Sequence, residues 1–335
     1  MNNLNETLLT AIEVELRRQI ARLDESHTAL YHEMLTYHMG WTGKGAGQKA
    51  TGKRIRPLLV LLASAATKGE WQNALPAAAA VELIHNFSLL HDDIQDNSET
   101  RRGRPTVWVK WGAAQAINAG DGLLIIANLA MADLENRISA EIAMEGSRLL
   151  QETCLNLTRG QHLDISYEMR TDLEVGDYWS MISGKTAALI SACTHLGALL
   201  GGADEGTQST YRDFGHYLGL SFQVQDDILG IWGDEALTGK SAASDLLEGK
   251  KSLPVLYGLG KNGEFARKWL QGPLAPDDVP GMAKLLEAEG ARLQAQQSAD
   301  QMTDLSLKAL RMANPQGEAG DQLFELANWL LKREA

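Results

Sequence analysis

The spacing of the apolar residues is the feature that most constrains the fold of this chain. Apolar residues recur at three- and four-residue intervals in block after block, as in the stripe Leu8, Ile12, Leu16 and Ile20. This spacing is typical of amphipathic helices, whereas the alternation typical of strands is nearly absent. Further blocks cover residues 58–66, 77–90, 113–134, 138–157, 187–200, 211–229 and 323–331. The sequence therefore predicts an all-α protein, a single-domain bundle of about a dozen helices over residues 1–335.

Charge and hydropathy exclude several classes of partner. The 335 residues include 43 acidic and 31 basic side chains, which gives a net charge of −12. This balance argues against nucleic acid as a partner, because a phosphate backbone attracts clustered Lys and Arg. We find no secretory leader at the N-terminus and no run of roughly 18 uncharged apolar residues. We therefore expect a cytoplasmic protein without integral membrane contact.

Two acidic clusters end apolar helical stretches: HDDIQD at 91–96 and FQVQDD at 222–227. Asp92 and Asp96 are four residues apart, so on a helix both carboxylates project from one face. Like charges at the apolar end of a helix are costly unless a cation accompanies them. Carboxylate oxygens at this spacing suit Mg²⁺, which usually keeps waters and a substrate phosphate as further ligands. Two such clusters facing each other would hold several ions and a diphosphate.

Basic residues are concentrated in short runs. The run GKRIRP at 52–57 lies where a helix is predicted to begin near Pro57, and cationic side chains with helix N-terminal amides favour an anion there. Any single basic run is more simply interpreted as a solvated surface. A lone histidine on an apolar helix is more simply interpreted as a residue of the core. The occurrence of all these residues in one chain favours anion binding more than any single run does. The candidate anion ligands are Lys53, Arg56, His85, Arg101, Arg102, Lys185, Lys240 and Lys250. Lys185 follows Gly184 at another predicted helix start.

The order of these motifs resembles that of the trans-isoprenyl diphosphate synthases, the polyprenyl synthetase family. The matching segments are GKRIRP (52–57), HDDIQD (91–96), RRGRPT (101–106), GKT (184–186), FQVQDDIL (222–229) and TGK (238–240). The segment GIWGD (230–234) is most similar to that of bacterial members that make geranylgeranyl diphosphate. The resemblance implies an all-α bundle around a deep central cavity, usually in a homodimer.

The resemblance also implies a Mg²⁺-dependent prenyltransferase that joins isopentenyl diphosphate to allylic prenyl diphosphates. Asp92, Asp96 and Asp226 would bind the Mg²⁺ that holds the allylic diphosphate, and Asp93 and Asp227 would support them. That diphosphate would be contacted by Arg101, Lys185 and Lys240, with Lys250 closing over it. The diphosphate of isopentenyl diphosphate would be held by Lys53, Arg56, His85 and Arg102. Thr186 and Gln223 would line the place where the carbocation forms.

Product length and one departure from the family pattern remain open. Bulky side chains at the positions of Phe87 and Ser88 stop the growing chain in this family. One bulky and one small residue predict geranylgeranyl diphosphate, with farnesyl and then geranylfarnesyl diphosphate as alternatives. A cavity floor formed by residues 120–124 is the competing interpretation. The third aspartate of the second motif is replaced by Gly230, which predicts slower or altered metal use, with Asp234 as a candidate substitute.

Two other functions would also use an aspartate-rich motif of this kind or its remnant. A class I terpene cyclase also ionises a prenyl diphosphate with Mg²⁺, but it needs no second diphosphate site, so Lys53, Arg56 and His85 count against it. A regulatory subunit of a synthase heteromer would have an eroded first motif, whereas Asp92 and Asp96 are intact.

Overall fold

Helices dominate the computed structural model, which describes residues 3–233 and 243–331, and the all-α prediction is confirmed. The helices within these ranges are α1 (Asn3–Ile20), α2 (Ala29–His38), α3 (Gln48–Thr51), α4 (Ile55–Ala66), α5 (Leu75–Gln95), α6 (Val107–Trp111), α7 (Ala113–Ala132), α8 (Ala140–Tyr167), α9 (Val175–Ile182), α10 (Ala188–Leu200), α11 (Glu205–Trp232), α12 (Ser244–Leu247), α13 (Leu253–Gly260), α14 (Glu264–Trp269), α15 (Val279–Ala288), α16 (Ala291–Ala313) and α17 (Gly317–Leu331). A π-helical turn, Ser183–Ala187, lies between α9 and α10.

A small β-hairpin was missed by the helical interpretation. Strands β1 (Thr100–Arg101) and β2 (Arg104–Pro105) pair antiparallel around a two-residue turn. Both turn residues have positive φ, 52° for Arg102 and 72° for Gly103, as the twist of a tight hairpin requires. Two-residue strands are too short to produce an alternating pattern, so periodicity could not reveal them.

The chain forms two compact units. The first consists of residues 1–152, 193–208 and 315–323, and the second of 153–192, 209–314 and 324–335. Neither unit is one continuous stretch of sequence. The single-domain organisation stays a prediction.

The first unit is built around α5. Helices α1, α4 and α7 pack against it, and the stripe Leu8, Ile12, Leu16 and Ile20 is fully buried, as its spacing predicts. Burial of each of these side chains contributes about 1.5–3 kcal/mol. The buried residues 77–80 of α5 are all alanine, which lets neighbouring helices approach closely.

The second unit has two adjoining apolar clusters. One gathers Tyr178, Ile182, Val224 and Ile228 with residues of α13 and α16. The other gathers Ile231 of α11 with residues of α12 to α16. Helix α11 contributes to both clusters, and this packing fixes the orientation of its acidic end.

Among the described residues one helical stretch, 113–136, is long and apolar enough to cross a membrane by length and composition alone. A little under half of its most apolar part is buried inside the protein. Since α7 packs against α5, part of this apolar surface belongs to the protein core.

Candidate active site

The first acidic cluster lies at the C-terminal end of α5. The N–H of Asp96 donates to the carbonyl of Asp92 at 2.8 Å, so helical geometry continues through both residues. Asp92 is half-buried and Asp96 is exposed. The last turn of this fully described helix carries no basic residue, and carboxylates there meet the negative end of the helix dipole. The arrangement therefore favours a cation.

Asp93 connects the end of α5 to the hairpin. Its Oδ1 accepts a hydrogen bond from Arg101 Nε at 2.7 Å, while its buried Oδ2 has no hydrogen-bond partner within the residues that the structure describes. Burial raises the pKa of Asp93, and Arg101 opposes that shift. An orphaned, buried carboxylate oxygen is a suitable acceptor for a metal-bound water.

A cleft in the first unit brings together two of the predicted diphosphate ligands, Arg101 and Arg102. Its lining includes His38, Asp93, Arg101 and Arg102. The pKa of nearby His85 lies well below its ordinary value because burial, followed by the charges of Arg56, Arg102 and Arg101, disfavours the imidazolium. Burial, followed by the charges of Arg101, Arg102 and Arg54, lowers the pKa of His38 to about 3. Arg101 and Arg102 line the cleft, and their positive charge suits a polyanion.

The basic run at 52–57 divides into structural and exposed residues. Helix α4 begins at Ile55, two residues before Pro57 and so close to the predicted start, and Arg54 precedes it in the left-handed region with φ 49°. Arg54 is buried and donates to Glu13 at 2.6 Å and to Glu82 at 2.8 Å. Lys53 is exposed and Arg56 is half-buried. Arg54 is therefore committed to internal ion pairs, and sequence spacing alone did not reveal this.

The segment TGKGAGQKATG at 42–52, a Gly/Lys-rich loop after α2, is held in place by Arg104. This arginine donates to the backbone carbonyls of Tyr37, Thr42 and Lys44 at 2.9, 2.6 and 3.1 Å. Arg102 binds the carbonyl of Ala50 at 2.8 Å. The loop is thus fastened to the hairpin that carries the arginine pair, a role for Arg104 that the motif alone did not indicate.

The second acidic cluster lies in α11 of the second unit. Asp226 is half-buried, whereas Asp227 is buried. The Asp227 carboxylate accepts hydrogen bonds from Tyr178 Oη at 2.8 Å, Gln223 Nε2 at 2.9 Å and the Leu253 N–H at 3.1 Å. Burial raises the pKa of Asp227 to about 7 against the effect of these bonds. Asp227 therefore joins α11 to α9 and α13 and orients the neighbouring Asp226.

Lys185 and Thr186 lie in the π-helical turn, so the helix predicted to start at Gly184 is instead a distortion between α9 and α10. Lys185 forms an ion pair with Asp164 of α8, and Thr186 Oγ1 donates to Gln223 Oε1 at 2.7 Å. A Cβ on Gly160 would lie 2.0 Å from the backbone nitrogen of Lys185. Glycine at 160 is therefore required for this close approach, and π-turns of this kind are frequent at functional sites.

The remaining predicted residues lie as follows. Lys250 Nζ lies 2.7 Å from Glu248 Oε2 and 3.3 Å from Asp245 Oδ1. Lys240 and Asp234 lie outside the described residues. Phe87 is buried with its ring edge-on to His91, centroids 4.9 Å apart, and Ser88 Oγ donates to the His85 carbonyl at 2.8 Å.

Asp92 and Asp96 offer carboxylate oxygens of the kind that a hard divalent cation takes. Among residues 3–233 and 243–331, no group of three His, Cys, Asp or Glu side chains is arranged to hold an ion. Mg²⁺ is usually bound by one or two carboxylates together with waters and substrate phosphates. That the two acidic clusters face each other stays a prediction.

Comparison with known proteins identifies relatives over nearly the whole chain. Residues 46–284 match the Polyprenyl synthetase family. The chain is 38% identical over 339 residues to a geranylgeranyl diphosphate synthase of Mycobacterium tuberculosis, covering 99% of this chain and 95% of that protein. It is 36% identical over 332 residues to a (2E,6E)-farnesyl diphosphate synthase of the same organism, covering 96% and 90%. The crystal structure of a polyprenyl synthetase from Streptomyces coelicolor superposes with a TM-score of 0.86 at 35% identity, covering 97% and 98%.

Proposed function

This chain belongs to the polyprenyl synthetase family and is a trans-prenyltransferase, and we propose that it condenses isopentenyl diphosphate with allylic diphosphates to make geranylgeranyl diphosphate. The cleft lined by His38, Arg101 and Arg102 beside Asp93, at the acidic end of α5, is the observation that carries this proposal. It supplies anion ligands within reach of a carboxylate cluster that favours a cation. A relative that is a geranylgeranyl diphosphate synthase supports the product length, and a farnesyl diphosphate synthase supports the first alternative.

Each unit has its own part in the proposed reaction. In the first unit Asp92 and Asp96 hold Mg²⁺, Arg101 binds the allylic diphosphate, and Lys53, Arg56, His85 and Arg102 hold isopentenyl diphosphate. In the second unit Asp226 holds Mg²⁺, Lys185, Lys240 and Lys250 contact the allylic diphosphate, and Thr186 and Gln223 line the place where the carbocation forms. Asp93 and Asp227 orient their neighbours through the hydrogen bonds described above.

The chemistry requires a leaving group to be stabilised. Ionisation breaks the allylic C–O bond, so an allylic cation and pyrophosphate form. Bound Mg²⁺ supplies positive charge for the leaving oxygens. The cationic side chains Arg101 and Lys185 add fixed donors that stabilise the same charge without reorganisation. The alkene of isopentenyl diphosphate then forms the new C–C bond, and pyrophosphate takes the proton that is released.

A second diphosphate site separates this function from terpene cyclisation. A cyclase has no use for Arg56 and His85 beside Arg102, and this grouping favours a two-substrate reaction. A direct assay tests the proposal: purified protein is given radiolabelled isopentenyl diphosphate and each of the three short allylic starters, and dephosphorylated products are sized. Twenty-carbon products support it. Cyclised products, or none, would refute it.

We also propose a cytoplasmic homodimer. Ile117, Ile125 and Leu129 lie on one face of α7 with exposed fractions of 47%, 58% and 43%. An apolar face of this kind on a soluble protein is typical of an association surface, and a second copy is the partner that the family supports. Light scattering tests this: Ile125→Glu should convert the dimer to monomer.

A further inference from the structure

Gly230, which replaces the third aspartate of the second motif, faces a carboxylate from another element. A Cβ built on Gly230 would lie 2.1 Å from Asp245 Oδ2 and 2.6 Å from its Cγ. Separations under 3.0 Å essentially never occur for real Cβ atoms. Gly230 lies within α11, where any residue adopts the backbone conformation. The reason for glycine at this position is therefore space and not conformational freedom.

Asp245 is fixed in front of Gly230. Its side chain is buried on α12 (9% exposed), and its Oδ1 lies 3.3 Å from Lys250 Nζ. The backbone N–H of Lys250 also donates to the Asp245 carbonyl at 3.0 Å. On either side of Asp245 in the chain, Ala243 and Leu246 pack in one apolar cluster with Ile231 of α11. Packing against α11 and the ion pair to Lys250 together hold the carboxylate in place.

We propose that Asp245 supplies from α12 the third carboxylate that α11 lacks at Gly230. Its charge occupies the space into which an aspartate at 230 would project, one turn after Asp226. Asp245 is a positioning residue, because it holds Lys250, which the proposed function assigns to the allylic diphosphate, and completes the negative charge around Asp226. This inference rests on the proposed function, since the need for a third carboxylate comes from Mg²⁺ and diphosphate binding.

The arrangement changes what Gly230→Asp alone should do. Two carboxylates would compete for one space, so the single substitution should lower the melting temperature instead of improving metal use. A double variant that moves the carboxylate from position 245 to position 230 should behave differently from Gly230→Asp alone. In Gly230→Asp/Asp245→Ala the space in front of α11 is vacated, and the new aspartate projects into it.

The experiment measures metal use without depending on turnover. Full-length protein is titrated with Mg²⁺ at fixed inorganic pyrophosphate, and the rise in melting temperature is recorded. We expect Asp245→Asn, which keeps the side-chain shape, to raise the Mg²⁺ concentration for half-maximal stabilisation by about 10-fold or more. Glu248→Gln, which alters the other partner of Lys250, should titrate like the wild type. Gly230→Asp/Asp245→Ala should recover most of the loss seen with Asp245→Ala.

Two results would overturn the inference. One is an Asp245→Asn variant whose Mg²⁺ titration matches the wild type. The other is a folded double variant that needs as much Mg²⁺ for half-maximal stabilisation as Asp245→Ala does. Asp245 would then have no role beyond its contact with Lys250. Sizing the products of the wild type distinguishes failure of the proposed function from failure of the role proposed for Asp245. A wild type that makes geranylgeranyl diphosphate while Asp245→Asn titrates normally refutes only the role of Asp245.

Discussion

Arg101 Nε donates to Asp93 Oδ1 at 2.7 Å, and this bond joins the hairpin to the acidic end of α5. The Asp93 side chain is 1% exposed, whereas that of Arg101 is 30% exposed. The two single substitutions are therefore expected to lower the free energy of unfolding by different amounts. Removal of the arginine leaves a buried carboxylate without its cation, while removal of the aspartate leaves an arginine that reaches water.

This asymmetry predicts the result of a double-mutant cycle. Arg101→Ala should lower the free energy of unfolding by about 1–3 kcal/mol, more than Asp93→Ala does. The double variant should be less destabilised than the sum of the two single variants, as urea unfolding would measure. Strictly additive losses would mean that the pair is not coupled.

Removal of the proposed metal ligands should abolish turnover and spare the fold. Asp92→Ala and Asp96→Ala should each lower kcat by roughly 10³-fold or more. Their melting temperatures should stay the same or rise slightly, because each variant removes a carboxylate from the negative end of a helix dipole. Asp300→Ala, an exposed carboxylate on α16, is the matched control for kcat. Near-normal turnover in either acidic-cluster variant would refute the assignment.

The two diphosphates should be separable by steady-state kinetics. Lys53→Ala should raise KM for isopentenyl diphosphate by about 10-fold with a smaller effect on the allylic substrate, and Lys185→Ala should do the reverse. Lys49, exposed on the short helix α3 just before Lys53, gives the control variant Lys49→Ala. Equal losses for both substrates in both variants would contradict the division of roles.

His38 should make stability depend on pH. Its folded pKa of about 3 lies below the usual 6.5 because of burial and then the charges of Arg101, Arg102 and Arg54. Between these values only the unfolded chain takes up the proton, so stability rises with pH by at most about 1.4 kcal/mol per unit from this group. The contribution is complete above pH 6.5 and is lost as the pH falls towards 3.

His38→Gln should therefore flatten the curve of unfolding free energy between pH 4 and 6.5. His27→Gln, at an exposed position, should leave the curve as it is. Identical slopes in wild type and His38→Gln would show that His38 does not stay neutral in the folded protein.

Chain length should respond to the two positions before the acidic cluster. Phe87→Ala should lengthen the products, and Ser88→Phe should shorten them to farnesyl diphosphate. Phe87→Ala also removes a buried ring at a cost of about 3–5 kcal/mol, so circular dichroism must show that the variant is folded. Chromatography of dephosphorylated products measures the outcome. Unchanged chain length in both variants would place the cavity floor elsewhere, with residues 120–124 as the next candidates.

Much of the architecture could be read from local pattern. The stripe from Leu8 to Ile20 specifies a buried helix face, because helical periodicity links residues close in sequence. The four-residue spacing of Asp92 and Asp96 likewise predicts that both lie at one helix end, and Asp92 is in the last turn of α5 with Asp96 as its C-cap. Motif order identified the family without any long-range contact. These features depend only on near neighbours in the chain.

Other features depend on groups that meet only after folding. Arg54 and Arg56 are alike in the sequence, yet Glu13 and Glu82 neutralise Arg54 and leave Arg56 beside His85. Asp227 differs from Asp226 because Tyr178 and Leu253 approach it from two other helices. The sequence by itself determined the helical class, the acidic and basic motifs and the family. Only the tertiary structure decided which of these charges are paired internally, because partners distant in sequence set the burial and hydrogen bonding of each ionisable group.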